Sequence, residues 1–457
     1  MLKAKILIPV NLIIRITLLL LIPISMFSDG IARFIPSSYQ VLNLDFSFYT
    51  PPLFMILISG WNLFFSSALL EFFWKLTPFL FFILCILLLP KVCCLLKTNS
   101  EQRFCISLLF LFSVPSLLYG ESILLESLVL FFTLISFILI EDYKNFGRKA
   151  YLLIAIVIAM MLYTKQTGYF ILAGFFLYIC FKKIPKKDKF ILMLSLSIGF
   201  IASIPWLIKN YLFTGNVLAG ATPGAKELII SSLGKLGSIN YFELISQVFH
   251  YFWMIPLNKV QFSGFYSLAY LGYYWTFLIS SIILSILIIL GMIKYRKEHK
   301  EYLFLMLPLI LFSFGWAFFF LIWNDFGRFT FTFHLLFYFF AVKFVSNIKR
   351  ENIKRLFYFI FIVFVILSVV TAFATTFYIK SKDTQIRIIA NNMKENNFGA
   401  FSNSAFIENN LGYYSKKKTV SINKNLTKED LQLEKDVLSL KDYGVFIKNN
   451  SYYIFER

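Results

Sequence analysis

The stretch SILLESLVLFF, residues 122–132, opens a run of apolar side chains and contains a single charged residue, Glu126. Apolar runs of about 17–25 residues are long enough to cross the hydrocarbon core of a membrane as an α-helix. A carboxylate about one turn inside such a run needs an ionic partner or a wet cavity, because an isolated charge in hydrocarbon is costly. The stretch therefore predicts a membrane-spanning helix that carries a functional group.

The composition of the whole chain supports a membrane protein. Of its 457 residues, 59% are hydrophobic and 15% are charged, and the mean hydropathy is +0.74. Soluble domains are nearer to 45–50% apolar and about 25% charged. We therefore predict a polytopic α-helical membrane protein with about eleven transmembrane helices, near 6–27, 72–90, 104–119, 122–140, 150–164, 168–181, 189–208, 266–293, 301–323, 329–346 and 356–379. The apolar segment 51–70 opens with two prolines, so we expect a re-entrant or interfacial stretch there, and the number of spans rises if it crosses instead.

The distribution of charge predicts the orientation, because Lys and Arg in short loops stay on the cytoplasmic side. With the N-terminus inside, the predicted inner segments hold 22 Lys and Arg and the three short outer loops hold two. The larger outer segments are then 28–71, 209–265 and the tail from 381. The formal net charge of +20 follows mainly from this topology and favours contact with anionic membrane lipids, with no nucleic acid as a partner.

Two domains are expected. Residues 1–380 form the multi-span membrane domain, and residues 381–457 form a small soluble α/β domain on the outer face, because strand-like and helix-like patterns alternate there. No small-residue cleavage site follows the first apolar run, so we predict a retained anchor in the plasma (inner) membrane, with the N-terminus cytoplasmic and the C-terminus outside.

The cysteine and histidine positions predict neither a disulfide framework nor a metal centre. All five cysteines fall in predicted spans or near inner loops, which indicates free thiols. The three histidines are scattered and show no metal-ligand spacing. No cofactor is predicted, and a requirement for a divalent metal stays open.

Charged residues at the outer ends of the predicted spans are the candidates for chemistry. The acidic candidates are Asp29, Glu121 and Glu126, although Asp29 could equally be a solvated helix end. The basic candidates lie on the same side: Lys165, Lys209 and Arg328, with Arg33 in the first outer loop. Each cation could also simply extend to lipid headgroups. Together they indicate an outward-facing cavity suited to a substrate with an apolar tail and a phosphate.

The order of these features resembles the GT-C superfamily of integral membrane glycosyltransferases, in particular the branch with the protein O-mannosyltransferases and the lipid A aminoarabinose transferases. The resemblance covers roughly residues 1–350. It rests on Arg15, Asp29, YTPPLF (49–54), VPSLLYGESILLES (114–127), TKQTG (164–168), IPWLIKNYLFTGN (204–216) and GRFTFTFHLLFYFFAV (327–342). The chain differs from the mannosyltransferases in having Asp29-Gly30 where they have an acidic pair, and no proline follows Arg328.

The resemblance implies transfer of a sugar from a polyprenyl-phosphate-linked donor to a lipid, glycan or protein acceptor outside the cytoplasm. Asp29 would be the base, Glu126 or Glu121 would assist it, and Arg328 and Lys165, followed by Lys209 and Arg33, would bind the donor phosphate. Direct displacement would invert the anomeric centre. Two other classes stay open: a transporter or flippase of lipid-linked sugars, and a noncatalytic assembly scaffold. The absence of repeated halves and the gathering of polar residues at one face favour the enzyme.

Overall fold

The computed structural model describes residues 2–24, 34–46, 51–65, 67–214, 249, 252–253, 267–320 and 324–396, together with four short strands farther along the chain. Nearly all of the described chain is helical. The helices are α1 Leu2–Leu21, α2 Ile35–Leu42, α3 Leu53–Phe64, α4 Ser67–Leu95, α5 Ser100–Phe112, α6 Val114–Tyr119, α7 Glu126–Glu141, α8 Tyr143–Phe146, α9 Arg148–Leu162, α10 Thr167–Phe181, α11 Lys186–Thr214, α12 Ser267–Tyr295, α13 Lys300–Phe320, α14 Asn324–Thr330, α15 His334–Ser346 and α16 Glu351–Asn396.

Several of these helices are suited to a membrane. Within the described residues, five helical stretches are long and apolar enough to cross a bilayer: Leu69–Leu95, Lys186–Leu212, Gly272–Tyr295, Gly327–Ser346 and Glu351–Ile388. Shorter apolar helices accompany them at Leu7–Leu21, Leu53–Phe64 and Thr167–Phe181. The chain is thus a polytopic membrane protein, and the number of eleven spans and their orientation stay predictions.

Two of the predicted spans are divided in the structure, and a third begins later than predicted. The span 104–119 is two helices, α5 and α6, separated at Ser113, whose backbone is extended. The span 122–140 starts later, because residues 120–125 form a turn and Glu126 is the first residue of α7 rather than one turn inside it. The span 329–346 begins with α14 and a 3-10 turn, Phe331–Phe333, before α15.

The segment 51–70 contains a helix that is too short to span. The 12 residues of α3 rise about 18 Å, whereas the hydrocarbon core is about 30 Å thick. This helix folds back on α4, where the indole nitrogen of Trp61 donates to the Thr77 hydroxyl at 2.8 Å. The Asn62 carbonyl oxygen accepts from the Trp74 indole at 2.8 Å. The asparagine is therefore used in holding the two helices together.

Two glycines allow neighbouring helices to approach closely. A Cβ on Gly174 of α10 would collide with the Leu305 carbonyl of α13, and a Cβ on Gly291 of α12 would collide with the Phe340 carbonyl of α15. In lipid no hydrophobic force drives helices together, so small residues at the contact supply the van der Waals packing. Larger side chains at either position would push the helices apart.

The C-terminal tail contains a four-stranded sheet in the order β2-β1-β3-β4, formed by β1 Gly399–Ser402, β2 Thr419–Ser421, β3 Tyr443–Lys448 and β4 Ser451–Glu456. The strand β1 is parallel to both β2 and β3, and β3 and β4 form an antiparallel hairpin. The helical pattern at 427–440 lies outside the described residues. A separate α/β domain on the outer face stays a prediction.

Candidate active site

The site is built around the break between α5 and α6. In an unbroken helix the Leu111 carbonyl would accept from the backbone nitrogen four residues later, which is Pro115 and has no N–H. Two side chains of α1 supply the missing donors instead. Asn11 donates to the Leu111 carbonyl at 2.9 Å, and Arg15 donates to it at 2.9 Å. The helix break therefore depends on polar residues from the first helix.

Arg15 uses all of its hydrogen-bonding capacity in this core. Its five N–H donors are matched by five hydrogen bonds, to Asn11 Oδ1, the Leu111 carbonyl, the Ser116 carbonyl and hydroxyl, and Glu121 Oε1, at 2.6 to 3.0 Å. The guanidinium also lies over the Phe82 ring, with 3.9 Å between its carbon and the ring centroid. A guanidinium bound in this way has no N–H left to receive a substrate phosphate.

Glu121 is the ionic partner of Arg15. Their closest atoms are 2.6 Å apart, and both side chains have no solvent exposure. Gly120 makes the approach possible, because a Cβ there would lie 2.7 Å from the Arg15 guanidinium. The second carboxylate oxygen of Glu121 is buried without a hydrogen-bond partner. The structure thus places this predicted catalytic candidate in a fully enclosed pair that stabilises the turn between α6 and α7.

Glu126 begins α7 directly after that turn and forms a different cluster. One of its carboxylate oxygens, Oε1, accepts from the Lys165 ammonium at 2.6 Å and from Nε of Arg328. The side chains of Glu126, Lys165 and Arg328 are 3%, 11% and 13% exposed, so the cluster is mostly enclosed. Three predicted site residues from distant parts of the sequence therefore meet at one carboxylate oxygen.

The turn between α9 and α10 positions Lys165. Lys165 lies in the turn between α9 and α10, and its ammonium is 4.9 Å from the Phe329 ring centroid. The carbonyl of Tyr163 in the same turn accepts from the backbone nitrogen of Leu53 at 2.9 Å. Leu53 follows the buried pair Pro51-Pro52, so residues 51–54 of the YTPPLF segment are attached next to the cluster.

Phe331 links the two charged clusters. Its ring is stacked with Phe82 and Phe110, with centroids 6.4 and 6.0 Å apart, and meets Tyr119 edge-on at 5.5 Å. Phe82 carries Arg15 on its ring, and Phe331 is three residues after Arg328. One group of packed aromatic rings thus contacts Arg15 of the enclosed pair and includes a residue close in sequence to Arg328 of the Glu126 cluster.

The cluster concentrates positive charge beside an unsatisfied acceptor. Two cations share one carboxylate oxygen, while the other oxygen, Oε2 of Glu126, is buried without a hydrogen-bond partner. A buried acceptor without a donor is costly and is usually matched by a ligand or water. The arrangement can attract an anion to Lys165 and Arg328 and accept a hydrogen bond from a hydroxyl or amine at Glu126.

The other predicted site residues do not belong to the Glu126 cluster as described. Asp29 and Arg33 lie outside the described residues. Lys209 is in the last turns of α11, with its ammonium 4.3 Å from the Trp206 ring centroid. Among the described residues, no group of three or more His, Cys, Asp and Glu could hold a metal ion, and the metal requirement stays open. All five cysteines are free thiols, as the sequence predicts.

Sequence reasoning missed two buried polar residues. The Lys75 ammonium binds two backbone carbonyls at the end of α1. Both ring nitrogens of His334 are buried without a hydrogen-bond partner, and Trp253 lies against the ring. A signal for Lys75 existed, since a lysine inside an apolar run requires a partner. His334 is one of three scattered histidines, and no local pattern in the sequence signals its burial.

Comparisons with known proteins give a similarity to a solved structure. No family model matches the sequence, and no curated protein matches it. Among solved structures, the chain is similar to the Archaeoglobus fulgidus oligosaccharyltransferase, crystallised with a tethered acceptor peptide that contains the NVT sequon. The two are 11% identical with a TM-score of 0.47, and the alignment covers 87% of this chain and 61% of that chain. This chain thus spans about three fifths of the length of that transferase.

Proposed function

We propose that the protein is a membrane glycosyltransferase that moves a sugar from a polyprenyl-phosphate-linked donor to a hydroxyl or amine of a lipid, glycan or protein outside the cytoplasm. The observation that carries the proposal is the Glu126 cluster, in which Lys165 and Arg328 converge on one carboxylate inside an apolar helical body. A donor with a phosphate and a long isoprenoid tail has matching chemistry, because the phosphate pairs with the cations and the tail stays in lipid.

The roles of the charges follow from the reaction. The bond between the anomeric carbon and the phosphate oxygen breaks, a bond from the acceptor oxygen or nitrogen to the same carbon forms, and polyprenyl phosphate leaves. Negative charge grows on the leaving phosphate, where Arg328 and Lys165 stabilise it. The acceptor proton passes to a carboxylate, which we assign to Asp29. In-line attack from the opposite face inverts the anomeric centre.

The two buried glutamates have different roles in this proposal. Glu126 positions both cations through Oε1 and receives a hydrogen bond from the acceptor at Oε2. Glu121 has a structural role, because its partner Arg15 encloses it in the helix break. Lys209 and Arg33 remain secondary candidates for the donor phosphate.

The test measures the product that is common to all such donors. Purified protein is placed in liposomes prepared from the ³²P-labelled total lipid of the source cells, and an unlabelled envelope fraction supplies the acceptor. We expect free ³²P-polyprenyl phosphate to form with the wild-type protein, and Arg328→Ala to slow its release. The matched control is Arg355→Ala, which removes a guanidinium that is 75% exposed.

The same experiment separates the competing classes. A flippase would move labelled donor between the leaflets without releasing polyprenyl phosphate, and a scaffold would do neither. Release that requires the envelope fraction and Arg328 supports a transferase. Transport of intact donor in the absence of release would refute it.

A further inference from the structure

We propose that Lys75 is a positioning residue that anchors the end of α1, from which residues 25–33 with Asp29 continue. This inference rests on the proposed function for the role of Asp29, while the anchoring itself stands on described atoms. Lys75 belongs to α4, and its ammonium donates to the Leu19 carbonyl at 2.8 Å and to the Ile22 carbonyl at 2.7 Å. The lysine is 8% exposed, so it does not extend to water or headgroups.

The sequence of α1 explains why its end needs a cation from another helix. The Leu19 carbonyl would normally accept from residue 23, which is Pro23 and has no N–H. The last carbonyls of a helix also carry the negative end of its dipole, which attracts a positive side chain. In an apolar surrounding, an unmatched carbonyl costs far more than in water. Lys75 therefore compensates both for the missing donor and for the dipole.

Lys75 is also the last member of a row of charges that reaches α16. Glu71, one turn earlier on α4, accepts from both terminal nitrogens of Arg387, at 2.7 and 3.3 Å. Arg387 pairs in turn with Asp383 on its own helix at 2.7 Å. The charges alternate in sign along Asp383, Arg387, Glu71 and Lys75. The end of α1 is thus held by α4, and α4 is held by α16.

This arrangement fixes the residues that directly precede residue 25. Ile22 and Ile24 are 1% and 3% exposed, so the two residues on either side of Pro23 are packed inside. Asp29 follows Ile24 by five residues. A displacement of about 1 Å in a catalytic group can cost on the order of 10²-fold in rate, so a loosened α1 end would slow transfer with little effect on substrate binding.

The test combines a labelling measurement with kinetics. In a protein with its five cysteines replaced by alanine, Ile24→Cys is reacted with a maleimide, with Lys75 present or replaced in Lys75→Met. We expect faster labelling in the Met variant. In the native-cysteine protein, we expect Lys75→Met to lower kcat for polyprenyl phosphate release by about 10²-fold and to leave KM nearly unchanged. We expect Lys75→Arg to restore part of kcat, since a guanidinium can also bind two carbonyls.

The matched control is Lys91→Met, the same change at the opposite end of α4, where the lysine is 48% exposed and pairs with Asp142. It should alter neither labelling nor kcat. Unchanged labelling of Ile24→Cys in Lys75→Met would overturn the anchoring, whatever the activity. Faster labelling with wild-type kcat would overturn the positioning role. If the wild-type protein releases no polyprenyl phosphate, the proposed function fails, and Lys75 no longer counts as a positioning residue.

Discussion

Pro23 and Pro115 each remove one backbone donor, and in both places a buried cation from another helix binds the carbonyl that is left. Lys75 binds the Leu19 carbonyl, and Arg15 binds the Leu111 carbonyl. Outside a membrane, water could supply such donors, but in an apolar body the protein has to supply them itself. Lys75 and Arg15 therefore satisfy the backbone, whereas Lys165 and Arg328 meet at Glu126.

Arg328 is the first residue whose role can be tested. We expect Arg328→Ala to reduce sugar transfer by about 10²–10³-fold, the loss typical of removing one group that stabilises the developing charge. Arg328→Lys should lose nearly as much, because an ammonium cannot reproduce a bidentate grip on phosphate. The measurement is kcat for release of polyprenyl phosphate. Wild-type turnover in the Lys variant would assign the role to Lys165 or Lys209.

Asp29 gives a second prediction at this scale. Asp29→Asn keeps the size of the side chain and cannot take up the acceptor proton, so transfer should fall by about 10²–10⁴-fold. Asp29→Glu should keep some activity if the longer side chain still reaches the acceptor. The control is Asp45→Asn, an exposed residue just after α2, for which we expect a mild effect. Near-normal transfer by well-expressed Asp29→Asn protein would move the base to Glu126.

At the scale of the elements, the break between α5 and α6 is stabilised by polar side chains of α1. Arg15→Met removes five hydrogen bonds and leaves Glu121 buried without its ion pair. Breaking a buried pair in this way typically costs about 3–5 kcal/mol. We expect a markedly lower unfolding temperature in detergent, and Arg15→Lys should recover only part of it, because three donors replace five.

A second substitution separates charge from hydrogen bonding in that pair. Adding Glu121→Gln to Arg15→Met removes the uncompensated carboxylate, so the double variant should unfold at a higher temperature than Arg15→Met alone. The pair of Lys91 and Asp142 serves as the control: because the lysine is 48% exposed, Lys91→Met should cost at most about 1 kcal/mol. A double variant that is no more stable than Arg15→Met would show that only the lost carbonyl contacts matter.

At the scale of the whole molecule, the orientation can be tested with native thiols. Cys94 and Cys180 are exposed and lie on the predicted cytoplasmic side. In intact cells an impermeant maleimide should leave the wild-type protein unlabelled and should label it after the cells are opened. Leu44→Cys, at a position that is 82% exposed in the predicted outer loop, and Ser415→Cys in the tail should both label in intact cells. Labelling of the first but not the second would contradict an odd number of spans.

The structure also decides which position in the first outer loop is useful for such labelling. The sequence suggests Ser38, because 28–71 is predicted to lie outside. The structure shows Ser38 fully buried in α2, where its hydroxyl donates to the Ile35 carbonyl at 2.7 Å. Leu44 replaces it because residues 43–46, directly after α2, are exposed. The charge count predicts on which side of the membrane a loop lies. Whether a residue in that loop can be reached by a reagent depends on how it is packed.

The sequence by itself determined that the chain is helical and membrane-embedded, and it identified Glu126, Lys165 and Arg328 as candidates. Hydropathy is summed over residues that are neighbours in the sequence. Long apolar runs, and the membrane helices that they predict, can therefore be recognised without a structure. The same local sum missed the breaks at Ser113 and at 120–125, because hydropathy does not register the side chains that satisfy the freed carbonyls. Asn11 and Arg15 of α1 donate to the Leu111 carbonyl at the first break, and Ser122 and Ser127 donate to the Leu118 and Tyr119 carbonyls at the second.

The tertiary structure decided which charges meet. Glu121 pairs with Arg15, 106 residues away, and Glu126 pairs with Arg328, 202 residues away. Nothing local distinguishes the two glutamates, which stand five residues apart in one buried stretch. An apolar helix face can pack against lipid as well as against another helix. The hydrophobic pattern therefore does not predict which helices are neighbours. Partners were selected by the fit of small residues, aromatic rings and unmatched carbonyls, which exists only once the helices are packed.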